Sequence, residues 1–414
     1  MLDHRVNNFF MAAAATTLVP FFREQYGKIF GQPWPVMGSA LMIAALNVFL
    51  FAFDRPWTAS DGIRNWGEWL LQSVGILNQP DLLSPFLHSG SVLNLGLLLG
   101  AFSAALLSRE FGIRKAPSVE LIKGAAGGLM MGSGAVLSFG CNIGGFFSAV
   151  SALSLSGVAM MLGLGIGAFL ATRYLSWEAR RSPPAGADEF QSPCAPPTQT
   201  NPSAPFAGLQ PAIGLLVILG LMIAVYIYRR SGYEPQAAFL LFGVGFGFIF
   251  QRSRFCLVRA FREPFLSGES DHARSAALAL TLSMIGFSIL KATDLKDATE
   301  WVFPSFWLGA LLGGSLFGIG MVIAGGCGAG SIWRAGEGHL KLWVAVLFFA
   351  LGTSLMRLFL ARAELLGQLG AAVFLPGVVG WGTAVWSIVT LMAAWYLMAG
   401  WNEHRKRLSQ PIAS

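Results

Sequence analysis

Long apolar runs recur along the chain, separated by short polar and basic stretches. Each run covers 17 to 20 residues, close to the roughly 20 residues that a helix needs to cross a bilayer. A shorter apolar block, Met11 to Phe22, is broken by Pro20 and predicts an interfacial helix. The pattern predicts membrane-spanning helices over 36–53, 91–107, 124–140, 157–175, 210–228, 236–252, 275–291, 304–323, 341–359 and 382–400.

The composition supports this pattern, since 54% of the residues are hydrophobic and 12% are charged. A soluble domain carries roughly 25% charged residues. The N-terminus also lacks the cationic start, short apolar core and cleavage site of a signal peptide. We therefore expect an all-α polytopic membrane protein with about 9–10 transmembrane helices.

One polar stretch, residues 178–208, is rich in Pro, Ser and Ala and has no periodicity, which is typical of a linker. It divides the chain into an N-terminal half, 1–177, and a C-terminal half, 209–414. Cys194 lies within this stretch, where we expect a solvent-facing cytoplasmic thiol without a role.

Basic residues cluster after the even-numbered segments, which predicts that these segments end in the cytoplasm and that both termini are cytoplasmic. Arg229 and Arg230 depart from the rule. The net charge of +7 is explained by this topology, and no nucleic-acid partner is expected. The basic positions after segments two, four, six and ten are Arg109, Arg114, Lys115, Lys123, Arg173, Arg180, Arg181, Arg252, Arg254, Arg259, Arg262 and the run 402–407.

The two halves contain a repeat. Residues 128–144, "GLMMGSGAVLSFGCNIG", align without a gap with 314–330, "GSLFGIGMVIAGGCGAG", at an offset of 186, with identity at seven of 17 positions. The first copy is predicted to run outward and the second inward. This arrangement predicts two inverted, pseudo-symmetric halves with a site near the bilayer midplane.

Each copy carries a cysteine, Cys141 or Cys327, among glycines that weaken a helix. Irregular backbone at membrane depth is tolerated where it is buried in protein or lines a watery cavity. We therefore expect broken or re-entrant helices whose N–H groups attract an anion. The alternative is that the glycines allow close helix packing. The candidate backbone positions are Gly140, Gly144, Gly326 and Gly330.

A third cysteine, Cys256, follows a segment that ends in arginines, among them Arg254. Positive-inside anchoring explains such arginines; the functional alternative is an electropositive vestibule that eases thiolate formation. Arg334 and Glu337, three residues apart after the second repeat, predict either a local ion pair or an arginine lining the pore exit.

A thiol is a weak donor and a polarisable group, so buried cysteines suit a substrate with terminal sulfur or selenium. Copper(I) is the rival soft ligand, but these cysteines stand singly in cationic surroundings. No zinc spacing, Walker loop or GxSxG elbow is present. We expect no metal, no cofactor and no enzymatic activity.

Three motifs, "GLMMGSGAVLSFGCNIGG", "FGFIFQRSRFC" and "GIGMVIAGGCGAGSIWRAGEG", resemble those of the YeeE/YedE sulfur-transport family of bacterial inner-membrane proteins. The half with two motif cysteines comes second, as in YedE-type members. The resemblance implies an hourglass-shaped carrier that relays thiosulfate past three thiols, here Cys141, Cys256 and Cys327. Phe139 departs from the family's glycine and would narrow the constriction.

The expected function is uptake of a small sulfur-containing anion, most simply thiosulfate, across the inner membrane. Two alternatives stay open: transport of a selenium or other reduced sulfur species, and a membrane sulfurtransferase that forms a cysteine persulfide. The resemblance also implies a TusA-like sulfur-carrier protein as a partner, in addition to the lipid bilayer.

Overall fold

The computed structural model of the protein describes residues 20, 24–181 and 208–405. The predictions for the interfacial helix at 11–22, apart from Pro20, for Cys194 and for most of the linker lie outside the described residues. One helix continues through Arg181, into the first residues of the stretch that the sequence predicts as a linker.

The described residues form helices and no strand. In chain order these are α1 (24–30), α2 (Val36–Phe53), α3 (Ala59–Ser73), α4 (Ser89–Leu107), α5 (Ser118–Leu137), a π-helical segment (Asn142–Ser148) continued by α6 (Ala149–Ser151), α7 (Leu155–Arg181), α8 (Gln210–Arg230), α9 (Glu234–Ser253), α10 (Leu257–Leu266), α11 (Asp271–Ala292), α12 (Leu308–Ala324), α13 (Gly328–Gly336), α14 (Leu340–Arg362), α15 (Leu375–Val379) and α16 (Trp381–Arg405).

Nine helices in this part of the chain are long and apolar enough to cross a membrane, or ten if one bent pair is counted as a span. The pair is α5 with the following segment 142–151, bent by 43°. The prediction of about 9–10 transmembrane helices in an all-α membrane protein is confirmed. In the segment predicted over 124–140, the helix ends at Leu137, three residues early, because Phe139 adopts a left-handed conformation with φ of 58°.

Helices of one half pack on helices of the other in two pairs of equivalent contacts. Helix α4 packs on α9, and its counterpart contact is α2 on α11; likewise α5 packs on α14, and α12 on α7. The repeat relates α2 to α9, α4 to α11, α5 to α12 and α7 to α14, so the second contact of each pair is the first with every helix replaced by its repeat partner. The described residues therefore follow the repeated architecture that the sequence predicts.

Helices α5 and α12 meet along a seam of glycines at repeat-related positions. A Cβ on Gly134 would lie 2.5 Å from the carbonyl oxygen of Gly313, and one on Gly127 would lie 2.6 Å from that of Gly320. Both pairs are related by the offset of 186, with the partners exchanged. For these four glycines, the absence of a side chain allows the two helices to pack closely.

Candidate functional site

All three motif cysteines occupy the same kind of backbone position. Each is the N-cap of a short helix that follows a longer one: Cys141 before the π-helical segment, Cys256 before α10 and Cys327 before α13. Two residues before each cysteine, the chain adopts a left-handed conformation, at Phe139, Arg254 and Gly325. A third break therefore separates α9 from α10, in a region that the sequence repeat does not cover.

The backbone angles confirm the pairing of the two glycine–cysteine copies. Cys141 has φ −75° and ψ −178°, and Cys327 has φ −84° and ψ −176°. The same comparison identifies a counterpart for Cys256, which has φ −147° and ψ 116°. Thr58, the N-cap of α3, has φ −145° and ψ 132°. Thr58 is therefore a fourth capping position that the sequence reasoning missed.

The three thiols lie close to one another in the protein interior. Cys141, Cys256 and Cys327 are at most 3% exposed, and Cys327 interacts electrostatically with both other cysteines. Cys327 also accepts a hydrogen bond from the Gly330 N–H at 3.3 Å. The structure brings together these three predicted residues, and the Gly330 N–H is engaged by the cysteine itself.

The side chain of Asn142 lies beside this cluster and is fully buried. Its carboxamide interacts with the Cys327 thiol. The contact lacks hydrogen-bond geometry, so the amide nitrogen and oxygen both have no hydrogen-bond partner among the described residues.

On one side of the cluster, hydroxyl groups surround Cys141. The Cys141 N–H donates to the Ser60 hydroxyl at 3.1 Å, and the Thr58 hydroxyl lies 4.0 Å from the Cys141 sulfur. Thr58 and Ser60 share a hydrogen bond of 3.0 Å. The predicted residue Gly144 packs directly beneath, where a Cβ would lie 2.4 Å from the Thr58 hydroxyl oxygen.

A cavity of about 360 Å³ opens onto this side, which we call the Asp61 end. Its wall includes Thr58, Gly140 and Phe139, so it reaches the capping residues beside Cys141. Three arginines also line it, whereas Asp61 is its one acidic wall residue. These arginines are Arg55, Arg64 and Arg357. The cavity wall therefore carries a net positive charge on the Cys141 side of the thiol cluster.

Asp61 remains ionised in this cavity wall. Burial acts to raise the pKa of its carboxyl, but Arg55 at 3.0 Å and Arg64 at 2.9 Å, with a contribution from His88, hold that pKa below its ordinary value. The aspartate fixes two of the arginines in place. Arg357 comes from α14 and adds a third cation to the wall.

On the other side of the cluster, Cys256 contacts charged and aromatic groups. The Arg334 guanidinium donates to the Cys256 sulfur at 3.3 Å and to the Gly325 carbonyl at 2.7 Å. The Cys256 N–H donates to His272 Nδ1 at 3.4 Å. Arg334 therefore lines the thiol cluster itself rather than an exit beyond it.

Beyond Arg334 lies a buried ion-pair network, which we call the Glu337 end. Trp333 contacts both Arg334 and Arg254, whose guanidinium carbons lie 4.9 Å and 5.6 Å from its ring centre. Arg254 pairs with Glu337 at 2.8 Å and with Glu110 at 2.7 Å. The predicted residue Arg254 thus lies in the protein interior with both carboxylates as partners.

Glu337 is the centre of this network and is fully buried. Burial acts to raise its pKa, but Arg254, His339 and Arg114 lower the pKa of the carboxyl to about 2. Arg252 joins the network through Glu110 at 3.2 Å. The network links the loop after α4 with the second half.

The remaining predicted residues lie at the breaks. A Cβ on Gly140 would lie 2.4 Å from the Gly145 nitrogen, and one on Gly326 would lie 2.8 Å from the Ser331 hydroxyl. Within 24–181 and 208–405, no three His, Cys, Asp or Glu side chains come together to hold a metal ion.

Comparison with known proteins agrees with this architecture. A family model described as "Sulphur transport" matches residues 8–170 and 252–413, most of the chain, one match in each half. A protein of Salmonella typhimurium named "Probable transporter YedE" is 27% identical over 334 residues, covering 78% of this chain and 80% of that protein.

Two proteins named "Thiosulfate transporter TsuA" match a shorter region. The one from Escherichia coli is 35% identical over 118 residues, which are 28% of this chain and 33% of that protein. The one from Spirochaeta thermophila is 40% identical over 113 residues, 27% of this chain and 34% of that protein. The family model spans both halves, the relatives are named as transporters, and the chain belongs to the Sulphur transport family.

Proposed function

We propose that this protein carries thiosulfate through the bacterial inner membrane into the cytoplasm by successive contacts with three thiols. The observation that supports the proposal is the series of contacts that joins the two ends. A positive cavity leads to Thr58 and Cys141, then to Cys327, then to Cys256 and Arg334.

Each part of this route suits one part of the ion. Arginines at the Asp61 end attract the dianion, and the thiols contact its polarisable terminal sulfur. Neutral donors bind an anion more weakly than a charged pair does, so the ion is released onward, as conduction through successive sites requires. In this proposal the Asp61 end faces the periplasm and the Glu337 end and both termini face the cytoplasm, following the positive-inside distribution.

The test is uptake of ³⁵S-thiosulfate by cells that lack other thiosulfate uptake and express the full chain. A net thiol contact is worth about 0.5–1.5 kcal/mol, so single changes of Cys141, Cys256 or Cys327 to Ala should lower uptake by about 2- to 10-fold, and the triple variant should abolish it. Cys194→Ala, which changes a cysteine outside the three motifs, is the control. Normal uptake by a well-expressed triple variant would contradict the relay.

The same residues would serve a selenium species or another reduced sulfur species. Competition for labelled uptake by selenite and by hydrosulfide separates these substrates. Stronger competition by selenite than by unlabelled thiosulfate would reassign the substrate.

A second candidate function is a membrane sulfurtransferase, and the contact between Arg334 and the Cys256 sulfur favours it, because a neighbouring guanidinium stabilises a thiolate. The Cys256 thiolate would attack the terminal sulfur of thiosulfate, the S–S bond would break, and sulfite would leave with the bonding electron pair. Mass spectrometry would then find one added sulfur on Cys256. Its absence during turnover would exclude this chemistry.

We also propose that a TusA-like sulfur-carrier protein receives the sulfur at the Glu337 end. The support is the position of this end beyond Cys256, together with the resemblance of the motifs. The carrier is a partner if it co-purifies with the full-length protein and if its deletion lowers thiosulfate uptake. It is a bystander if it does not co-purify, or if its deletion leaves uptake unaffected.

A further inference from the structure

Asn142 carries a polar side chain that lies beside the Cys327 thiol and makes no hydrogen bond within the described residues. It is fully buried, and neither atom of its carboxamide has a hydrogen-bond partner among the described residues. Most buried polar groups in proteins are hydrogen-bonded, because an unpaired one costs free energy. A group of this kind beside three thiols is explained by a partner that passes through the site.

The repeat shows that the local backbone does not require asparagine. The equivalent residue in the second copy is Gly328, which follows Cys327 in the same N-cap geometry. The Asn142 side chain also makes no capping hydrogen bond. In the second copy a Cβ would lie 2.9 Å from the Phe349 ring, so a side chain at this position would have to displace that ring, whereas the first copy accommodates asparagine.

The position of Asn142 is central. It follows Cys141 in the chain, and its carboxamide faces the Cys327 thiol across the break. An ion in contact with these two thiols would lie beside the amide. A carboxamide offers two N–H donors to the oxygen atoms of an ion, whereas a thiol offers a single weak S–H donor.

We propose that Asn142 is a specificity-determining residue that donates hydrogen bonds to the oxygen atoms of the transported ion, while the thiols contact its terminal sulfur. The inference rests on the proposed function and names its substrate class more narrowly. The preferred substrates are oxyanions that carry both a terminal sulfur or selenium and oxygen acceptors. Hydrosulfide, which has no oxygen, gains nothing from Asn142.

The experiment measures KM and Vmax of ³⁵S-thiosulfate uptake by the full chain in proteoliposomes. Asn142→Leu keeps a similar volume and removes both donors, so KM is expected to rise by about 10- to 100-fold, the range of one or two lost hydrogen bonds to a charged group. Asn142→Ser keeps one donor and is expected to raise KM less. If the Leu variant does not reach the membrane, Asn142→Ser against Asn142→Ala decides in the same way.

A structural role would have a different signature, since misfolded protein lowers Vmax and leaves KM unchanged. Asn65→Leu is the matched control, because Asn65 is a buried asparagine whose amide donates to the Leu83 carbonyl at 3.0 Å and accepts from Ser91 at 2.7 Å. It is expected to lower Vmax or stability alone.

Three results would count against these conclusions, and they are distinguishable. If the wild-type protein takes up no thiosulfate, the proposed function fails and this inference fails with it. If the wild type is active and Asn142→Leu keeps its KM within about twofold, well below the effect of one lost hydrogen bond to a charged group, the inference alone fails. If Asn65→Leu raises KM as much as Asn142→Leu, the effect is not specific to the thiol cluster, and the inference also fails.

Discussion

Single side chains decide what the shared break geometry can bind. Thr58 and Cys256 occupy the same N-cap conformation in the two halves, and one offers a hydroxyl where the other offers a thiol. A hydroxyl is the stronger hydrogen-bond donor, and a thiol is the more polarisable group. The two ends of the thiol cluster therefore differ in chemistry although their backbones agree.

We expect Thr58→Val to lower thiosulfate uptake by about 2- to 10-fold, the effect of one neutral hydrogen bond. Thr58→Cys, which replaces the hydroxyl by a sulfhydryl, should stay within about twofold of the wild type, because it keeps a hydrogen-bond donor at this capping position, although a weaker one. Both are measured as ³⁵S-thiosulfate uptake at equal membrane expression.

The matched control for this pair is Thr281→Val. Its hydroxyl donates to the Ala277 carbonyl within α11 at 2.9 Å, so the change removes a threonine hydroxyl away from the thiols. Uptake by Thr58→Val equal to that of Thr281→Val would contradict the assignment of Thr58 to the route.

The sequence reasoning reached the cysteines but not Thr58 or Asn142, and the physical reason is clear at each position. Residues 54–58, "DRPWT", share no identity with 252–256, "RSRFC", so a sequence alignment does not reveal that these loops have equivalent backbones. Asn142 is aligned with a glycine, and only the packed structure shows that its amide is left unpaired.

At the scale of helices, the glycine seam between α5 and α12 holds the two broken helices together. The backbones approach so closely that even a methyl group has no room at Gly134, where a Cβ would lie 2.5 Å from the Gly313 carbonyl. Helix packing in membranes depends on such close contacts. The seam therefore fixes the distance between the cysteines that follow each helix.

Gly134→Ala should destabilise the protein by about 1–3 kcal/mol, as overpacking of a tight contact does. The measurement is thermal unfolding of the purified protein in detergent, followed by tryptophan fluorescence. Gly220→Ala in α8 is the control, because a Cβ there has no atom within 4 Å, and its unfolding temperature should not fall. An unchanged midpoint for Gly134→Ala would show that the seam tolerates separation.

Hydrophobic periodicity predicted the membrane helices well, because length and apolar content largely determine whether a helix spans the bilayer. It could not place the end of α5, since residues 138–140 differ little in polarity from the helix before them. The break is created by the left-handed residue Phe139. A conformation that is uncommon for an aromatic residue is not visible in a hydropathy pattern.

For the whole molecule, the ion-pair network at the Glu337 end joins the halves. Glu110 belongs to the first half, whereas Arg252, Arg254 and Glu337 belong to the second. The pKa of Glu337 is lowered from an ordinary 4.5 to about 2. Folding therefore favours the ionised carboxyl, and its stabilisation is complete above about pH 4.5 and lost as the pH falls toward 2.

We expect the wild type to unfold at a higher temperature than Glu337→Gln at pH 6, and this difference should shrink as the pH is lowered from about 5 to 3, across the window set by the lowered pKa. Thermal unfolding at several pH values provides the measurement. Glu364→Gln, at an exposed carboxyl, controls for removal of a charge. A difference that is independent of pH would contradict the role assigned to the ionised form.

The seam of glycines has a further consequence for directionality. Because Gly127 meets Gly320 and Gly134 meets Gly313, the paired helices look the same when the molecule is turned upside down. A scaffold of this kind has no intrinsic inward or outward sense. Any vectorial preference must come from the positions at which the two halves differ, among them Asn142 against Gly328, Thr58 against Cys256 and Phe139 against Gly325.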